Sequence, residues 1–286
     1  MRKRVPREAP ATKTTPAPRN AAADAYGAIA AFGGDPDFMT SFARGLAVIR
    51  AFSGGTGRRT IGAIAQATGM SRAAVRRCLY TLQQLGYVGL DDGRHYALRP
   101  KILSLGYAFL SSSALVASAK PVLDQVAQTL HESCSMAVLE GDAIVYVARS
   151  AASRRLMSMD LGVGSRLPAY CTSMGRVLLA GLAPDALEKY LAGLVPIAYT
   201  ERTVIRRDAL RRILADVHRA GHAIVDQELE LGLRSMAVPV RDLAGDVVAA
   251  LNVSTHASRV SAEDLTQRCL PALLRAAEVL VQPVPG

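Results

Sequence analysis

The chain has no tryptophan, and aromatic residues make up only 5% of its 286 positions. Cysteine is sparser still. Cys78, Cys134, Cys171 and Cys269 are scattered, and no two have metal-site spacing, which excludes a disulfide scaffold and points to reduced thiols. His131-Glu132 and the other histidines form no HExxH pattern, so no structural or catalytic metal is expected. No apolar run reaches the roughly 18 uncharged residues that a membrane span needs. The basic start Met1-Arg2-Lys3-Arg4 is followed by no hydrophobic signal core. The expectation is a soluble, cytoplasmic protein with no membrane partner. Catalytic signatures are missing too: there is no GxSxG, no phosphate loop and no paired acid and base, and Gly162-Val163-Gly164 is a lone GxG. Neither an enzyme nor a cofactor is expected.

Half of the residues are hydrophobic, ample for a buried core, and the length suits two domains. The net charge is +10, and its distribution is uneven. Residues 38–100 carry nine arginines against Asp91 and Asp92, for +7, whereas residues 101–286 carry only +1. A short cationic module attached to a nearly neutral one suggests a polyanion-binding head on a separate body.

Residues 1–36, rich in Ala, Pro, Thr and Arg, lack periodicity and read as a disordered basic tail. From Phe38 the pattern changes. Phe42, Leu46, Val48, Ile49 and Phe52 form a helical stripe ending at Gly54-Gly55. A short helix follows over Thr60–Thr68, with Thr60 as N-cap, then a turn at Gly69-Met70, then a helix capped by Ser71 and running from Arg72 to about Leu85. The segment from Tyr87 to Leu98 reads as two strands around an Asp92-Gly93 turn. Helix, turn, helix and hairpin at this size constitute a winged helix-turn-helix, assigned to residues 37–99.

Helix geometry divides the Arg72 helix into two faces. At 100° per residue, Ala74, Val75, Cys78, Leu79, Leu82 and Leu85 share one face, and Arg72, Ala73, Arg76, Arg77, Tyr80, Gln83 and Gln84 the other. A recognition helix needs an apolar back and an outer face able to enter the major groove of operator DNA. Ser71, Arg72, Ala73, Arg76, Arg77 and Tyr80 are the candidate contacts, with Arg94 at the wing tip on backbone or minor groove. The competing reading is an ordinary amphipathic helix with a solvated arginine face.

Residues 100–116 read as a linker helix whose Ile102, Leu103, Leu105, Tyr107, Phe109 and Leu110 are too apolar to stand alone in water, which suggests a partner subunit. Residues 117–286 read as a mixed α/β domain. Helices are expected over Ala117–His131 and from about Thr172, Pro184, Asp208 and Ser261. Strands are expected over Ser135–Leu139, Ala143–Ala148, about Arg155–Asp160, Ser235–Arg241 and Val247–Thr255. In the last strand Asn252 and Ser254 lie two apart in an apolar run and share a face, and Ser235 enters the preceding strand. Polar groups converging in an apolar shell suit a small polar ligand; solvent-facing strand polarity is the plainer alternative. Tyr170-Cys171-Thr172-Ser173-Met174 leads into a helix whose first N–H groups suit a carboxylate, unless Thr172 or Ser173 simply caps it. Cys171 has no histidine near it in sequence and reads as a buried or lining thiol. Arg234 reads as pairing with Asp226, Glu228 or Glu230 rather than with a ligand.

The stretch TIGAIAQATGMSRAAVRRCLYTLQQLGYV from Thr60 resembles the helix-turn-helix of the IclR-type regulators. DQELELGLRSMAVPVRD (Asp226–Asp242) and VVAALNVSTHASR (Val247–Arg259) resemble that family's C-terminal signature. LPAYCTSMGRVLLA (Leu167–Ala180) is similar to the branch controlling protocatechuate, 4-hydroxybenzoate and β-ketoadipate catabolism. The resemblance spans about Asp37 to Val281. It implies an α+β chain in which a winged helix-turn-helix, a linker helix and a GAF-like effector-binding domain with a curved antiparallel sheet follow one another. It also implies homodimers that often pair into tetramers, and Ser235, Asn252 and Ser254 as ligand contacts. Tyr170, Thr172, Ser173 and Met174 complete the expected effector site for a small carboxylate, an aromatic acid foremost and a keto acid as the alternative. An enzyme with a fused DNA-binding head and a constitutive architectural DNA binder are the competing classes.

Overall fold

The structure, a computed structural model, describes residues 29–53, 57–150 and 161–281. They fall into two compact units that meet in sequence between Tyr107 and Ala108. Most of the leader lies outside the described residues. Where description begins, 29–31 form a helical turn and the rings of Phe32 and Phe38 stack with centroids 4.7 Å apart.

The N-terminal unit begins with α1 (Thr40–Arg50), followed by a two-residue strand β1 (Arg58–Arg59), α2 (Ile61–Thr68) and α3 (Arg72–Gln84). Thr60 caps α2 by accepting the Ala63 N–H, and Ser71 caps α3 by accepting the Ala74 N–H, both at 3.2 Å. The turn between them needs a left-handed residue, and Gly69 supplies it at φ 70°. The wing strands β2 (Val88–Leu90) and β3 (Tyr96–Leu98) pair antiparallel, and β1 joins the free edge of β3. Val48, Phe52, Ile64, Met70, Val75, Leu79, Leu82 and Val88 form the core.

Two apolar stripes differ from expectation. Phe42 and Leu46 are 64% and 42% exposed, because α1 docks through Ala47 and Val48, with Ala51 and Phe52 just after it, an arc on the far side of the helix. Leu85 is also exposed. It sits at the C-cap, where the chain leaves the helix toward Gly86.

A short 3-10 turn (Pro100–Ile102) leads into α4 (Leu103–Ser112), none of whose residues is buried. Ser113 then caps α5 (Ala114–Leu130), three residues earlier than expected. The C-terminal unit is built on a six-stranded, wholly antiparallel sheet of order β6-β5-β4-β9-β8-β7. The strands are β4 (Ser133–Glu140), β5 (Ala143–Ser150), β6 (Arg166–Pro168), β7 (Ala223–Asp226), β8 (Leu233–Arg241) and β9 (Val247–His256). Side chains alternate between its faces. Cys134, Met136, Met236, Val238, Leu251 and Val253 pack against α5 and the C-terminal helix α10 (Leu270–Val281), which follows the short α9 (Ala262–Asp264) and a π-turn. Ala137, Ile144, Tyr146, Ala237 and Ala250 pack against α6 (Ser173–Ala180), α7 (Pro184–Gly193) and α8 (Arg207–Ala220). The strand expected around Arg155–Asp160 lies outside the described residues.

Candidate functional site

The outer face of α3 is open. Ser71, Arg72, Ala73, Arg76, Arg77 and Tyr80 are exposed, while Val75, Leu79 and Leu82 are buried beneath them. The Ser71 hydroxyl is engaged as the cap. Arg72, Arg76 and Arg77 enter no ion pair among the described residues, whereas Arg58 and Arg99 flank Asp91 at 3.3 and 3.0 Å. At the wing tip Asp92 accepts the N–H groups of Arg94 and His95 and contacts the His95 ring. The His95 N–H, then its ring, hold the Asp92 carboxyl down to about 2. Arg94 stays exposed, lifted on a loop fixed by its neighbours.

In the C-terminal unit a cleft of about 370 Å³, mouth included, opens between the start of α6 and the α6 face of the sheet. Thr172, Ser173, Met174, Ser235, Asn252 and Ser254 all line it, with Cys171 as the lining thiol expected, and Tyr146 and Glu228, which had not been anticipated there, join them. Cross-strand register explains the convergence. Ser235 on β8 pairs with Ser254 on β9, which pairs with Ser133 on β4, and the next row runs Ala237, Asn252, Ser135, Arg149. Asn252 donates to the Ser254 hydroxyl at 3.0 Å. Its Oδ1, the Ser133 hydroxyl and the Ser173 hydroxyl are buried without a hydrogen-bond partner among the described residues. Each such group costs about 1–3 kcal/mol if left unmet, so a polar ligand has an energetic reason to enter.

Thr172 does cap α6, accepting the Gly175 N–H at 3.2 Å and donating to Pro168 O at 3.1 Å. The preceding first-turn amides remain outside the helical ladder. Gly175 permits this arrangement, since a Cβ there would sit 2.1 Å from Ala169 O. Tyr170 departs from the expectation. It is buried but does not line the cleft, because its hydroxyl donates to Ile197 O and accepts the Ile197 N–H. Burial, then the nearby Glu228, push the Cys171 thiol up to about 12, the state of an inert lining thiol rather than a nucleophile.

Arg176 and Glu228 form a buried ion pair at 2.7 Å, with Glu228 in the cleft wall. The guanidinium also donates to Tyr170 O, and Glu228 accepts the Val204 N–H. This pair ties α6 to the 227–230 loop, the two walls of the cleft. Sequence spacing gave no hint of it, because the partners are 52 residues apart. Arg234 pairs with Asp226 at 2.8 Å and donates to Val260 O, the structural role expected of it.

An exposed arginine-faced helix after a tight turn, a wing, and a separate unit with a part-polar cleft define a class: a DNA-binding regulator with a ligand-sensing domain. Two family models match the chain, the IclR helix-turn-helix domain over residues 41–92 and the bacterial transcriptional regulator IclR C-terminal domain over residues 107–281. The chain belongs to the IclR family of bacterial transcriptional regulators, and is therefore a regulator rather than an enzyme. It is 55% identical to the Pca regulon regulatory protein of Pseudomonas putida over 252 residues, 88% of this chain and 86% of that one. It is 34% identical to the Pca operon regulatory protein of Acinetobacter baylyi, covering 85% and 88% of the two chains. Among solved structures, an IclR homologue from Microbacterium hydrocarbonoxydans complexed with 4-hydroxybenzoate superposes with a TM-score of 0.73 at 25% identity, over 84% of this chain and 97% of that one.

Proposed function

We propose that this regulator controls a protocatechuate or 4-hydroxybenzoate catabolic operon in the cytoplasm, binding the aromatic acid or its keto-acid product in the cleft. The observation that carries the proposal is the set of polar atoms on Asn252, Ser133 and Ser173, unpartnered among the described residues, in and beside a cleft otherwise walled by Tyr146, Leu167, Met174 and Val225. Hydroxyl and amide groups suit ring substituents, and an apolar wall suits a ring. The 55% identity to a Pca regulon regulator and the 4-hydroxybenzoate complex of a structural neighbour supply the effector class. In the N-terminal unit, Arg72, Ala73 and Arg76 reach base edges in the major groove, Arg77, Tyr80 and Ser71 hold the backbone, and Arg94 touches the flanking groove. The working form is a homodimer, or a pair of dimers, joined in part through α4.

The test is a melt of the full chain with protocatechuate, 4-hydroxybenzoate and β-ketoadipate. An acid present at 100 times its dissociation constant stabilises the fold by about 2.7 kcal/mol, a shift of several degrees. Asn252→Ala combined with Ser254→Ala removes that shift. A melt unmoved by every acid contradicts the proposal.

A further inference from the structure

The effector proposed above is an anion, and the cleft as described has no cation in its lining. Several arginines of the C-terminal unit are committed elsewhere. Arg176 pairs with Glu228, Arg234 with Asp226 and Arg259 with Glu132. Arg149 differs. It lies near the end of β5, is half-buried, and forms no ion pair among the described residues. One terminal nitrogen donates to Leu161 O, while Nε is buried with no partner among the described residues. A guanidinium donor without a partner in a low-dielectric interior is costly, more so than a neutral one.

The register places Arg149 on the cleft side of the sheet. A bulge sets Ala137 opposite Tyr146 and Met136 opposite Ala148, so that Arg149 follows opposite Ser135, which in turn lies opposite Asn252. Ala137 and Tyr146 face the cleft layer, while Met136 and Ala148 face the α5 layer. Arg149 therefore belongs to the same face and the same cross-strand row as Asn252, two strand spacings away. That is about 10 Å between Cα atoms, a gap the long side chain can narrow. Tyr146, on the same face of β5, lines the cleft. Burial pushes its phenol up to about 12, and the Arg149 charge is close enough to pull against that rise.

We infer that Arg149 binds the carboxylate of the effector, so that the charged end of an aromatic acid lies over β4 and β5 while Ser235, Asn252 and Ser254 take its ring substituents. This inference rests on the effector reading above. A carboxylate beside Nε, which has no partner among the described residues, takes a charge-assisted hydrogen bond, the strong kind, in the planar geometry that distinguishes guanidinium from ammonium. The start of α6, the other anion-binding element at the cleft, already has one N–H satisfied by Thr172 and offers only a partial charge. An arginine on the sheet therefore discriminates acid from neutral isostere more sharply than the helix start does.

The experiment is calorimetric titration of the full chain and its Arg149→Gln and Arg149→Lys variants with 4-hydroxybenzoate and with neutral 4-hydroxybenzamide. Wild-type protein is expected to bind the acid at least tenfold more tightly than the amide. Arg149→Gln should weaken acid binding at least tenfold and amide binding far less, and the amide binding that is retained also shows that the cleft is intact. Arg149→Lys should restore part of the preference for acid. An Arg149→Gln protein that keeps the wild-type preference overturns the inference and returns the carboxylate to the start of α6. Equal loss of acid and amide also overturns it, because Arg149 would then only brace Leu161. If wild-type protein binds neither the acid nor protocatechuate, the effector reading itself fails.

Discussion

Arginines in the N-terminal unit divide by the partners they have. Arg58 and Arg99 hold Asp91 and so stitch β1 to the base of the wing, whereas Arg72, Arg76 and Arg77 project from α3 without an ion pair among the described residues. Unpaired, exposed guanidinium groups on the first turns of a recognition helix are available for guanine O6 and N7. Arg72→Ala or Arg76→Ala should each cost about 1–3 kcal/mol at a cognate operator and relax sequence preference, whereas Arg94→Ala should weaken all sequences alike. Fluorescence anisotropy with cognate and scrambled duplexes separates the two outcomes. Unchanged operator affinity in the Arg72/Arg76 double variant would refute the assigned face. This face was legible in the sequence because helical periodicity assigns each residue a direction. Asn252, Ser254 and Ser235 were legible for the same reason in a strand, and the alternation of Ser133 and Ser135 offered the same signal one strand over. Arg149 and Glu228 were not, since their importance comes from cross-strand register and from contacts spanning tens of residues.

Elements with capping residues and sustained periodicity could be read from the chain. Thr60, Ser71 and Pro184 mark helix starts that the structure places within a residue of expectation. The short strands β1, β6 and β7 went unseen, because two to four residues carry no usable period and are held by the sheet they join. Tertiary docking also overrode local pattern in α1, where Phe42 and Leu46 are left outward. Helix α4 poses the sharpest question at this scale. Leu103, Leu105, Tyr107 and Phe109 are each more than half exposed, an apolar surface that a lone chain in water would leave wet at about 25 cal/mol per Å². Burial against a second copy relieves that cost. Light scattering at micromolar concentration should give a dimer or tetramer mass, and replacing Leu103 and Phe109 together with Lys should shift it toward the monomer. A monomeric mass for the unaltered chain would contradict the dimer.

At the scale of the whole molecule, the sequence separates its two tasks by charge: +7 over residues 38–100 and +1 over residues 101–286. The basic unit meets a polyanion, while the nearly neutral one builds its cleft from apolar walls and a few hydroxyl and amide groups. Regulation requires that these sites be coupled, and the coupling is reciprocal: an acid that alters operator affinity by some factor has its own affinity altered by the same factor. The Arg176–Glu228 pair is one physical means of beginning that coupling, since it ties the two walls that a ligand would press apart or draw together. The most direct measurement is the affinity of the full chain for an operator selected from random duplexes, titrated with and without saturating protocatechuate or 4-hydroxybenzoate. A coupling of about 1–3 kcal/mol corresponds to a change of roughly 5- to 150-fold in operator dissociation constant, and a change of that size for at least one acid is the predicted result. An operator affinity that no aromatic acid or keto-acid product alters, at concentrations that saturate the cleft, would contradict the account.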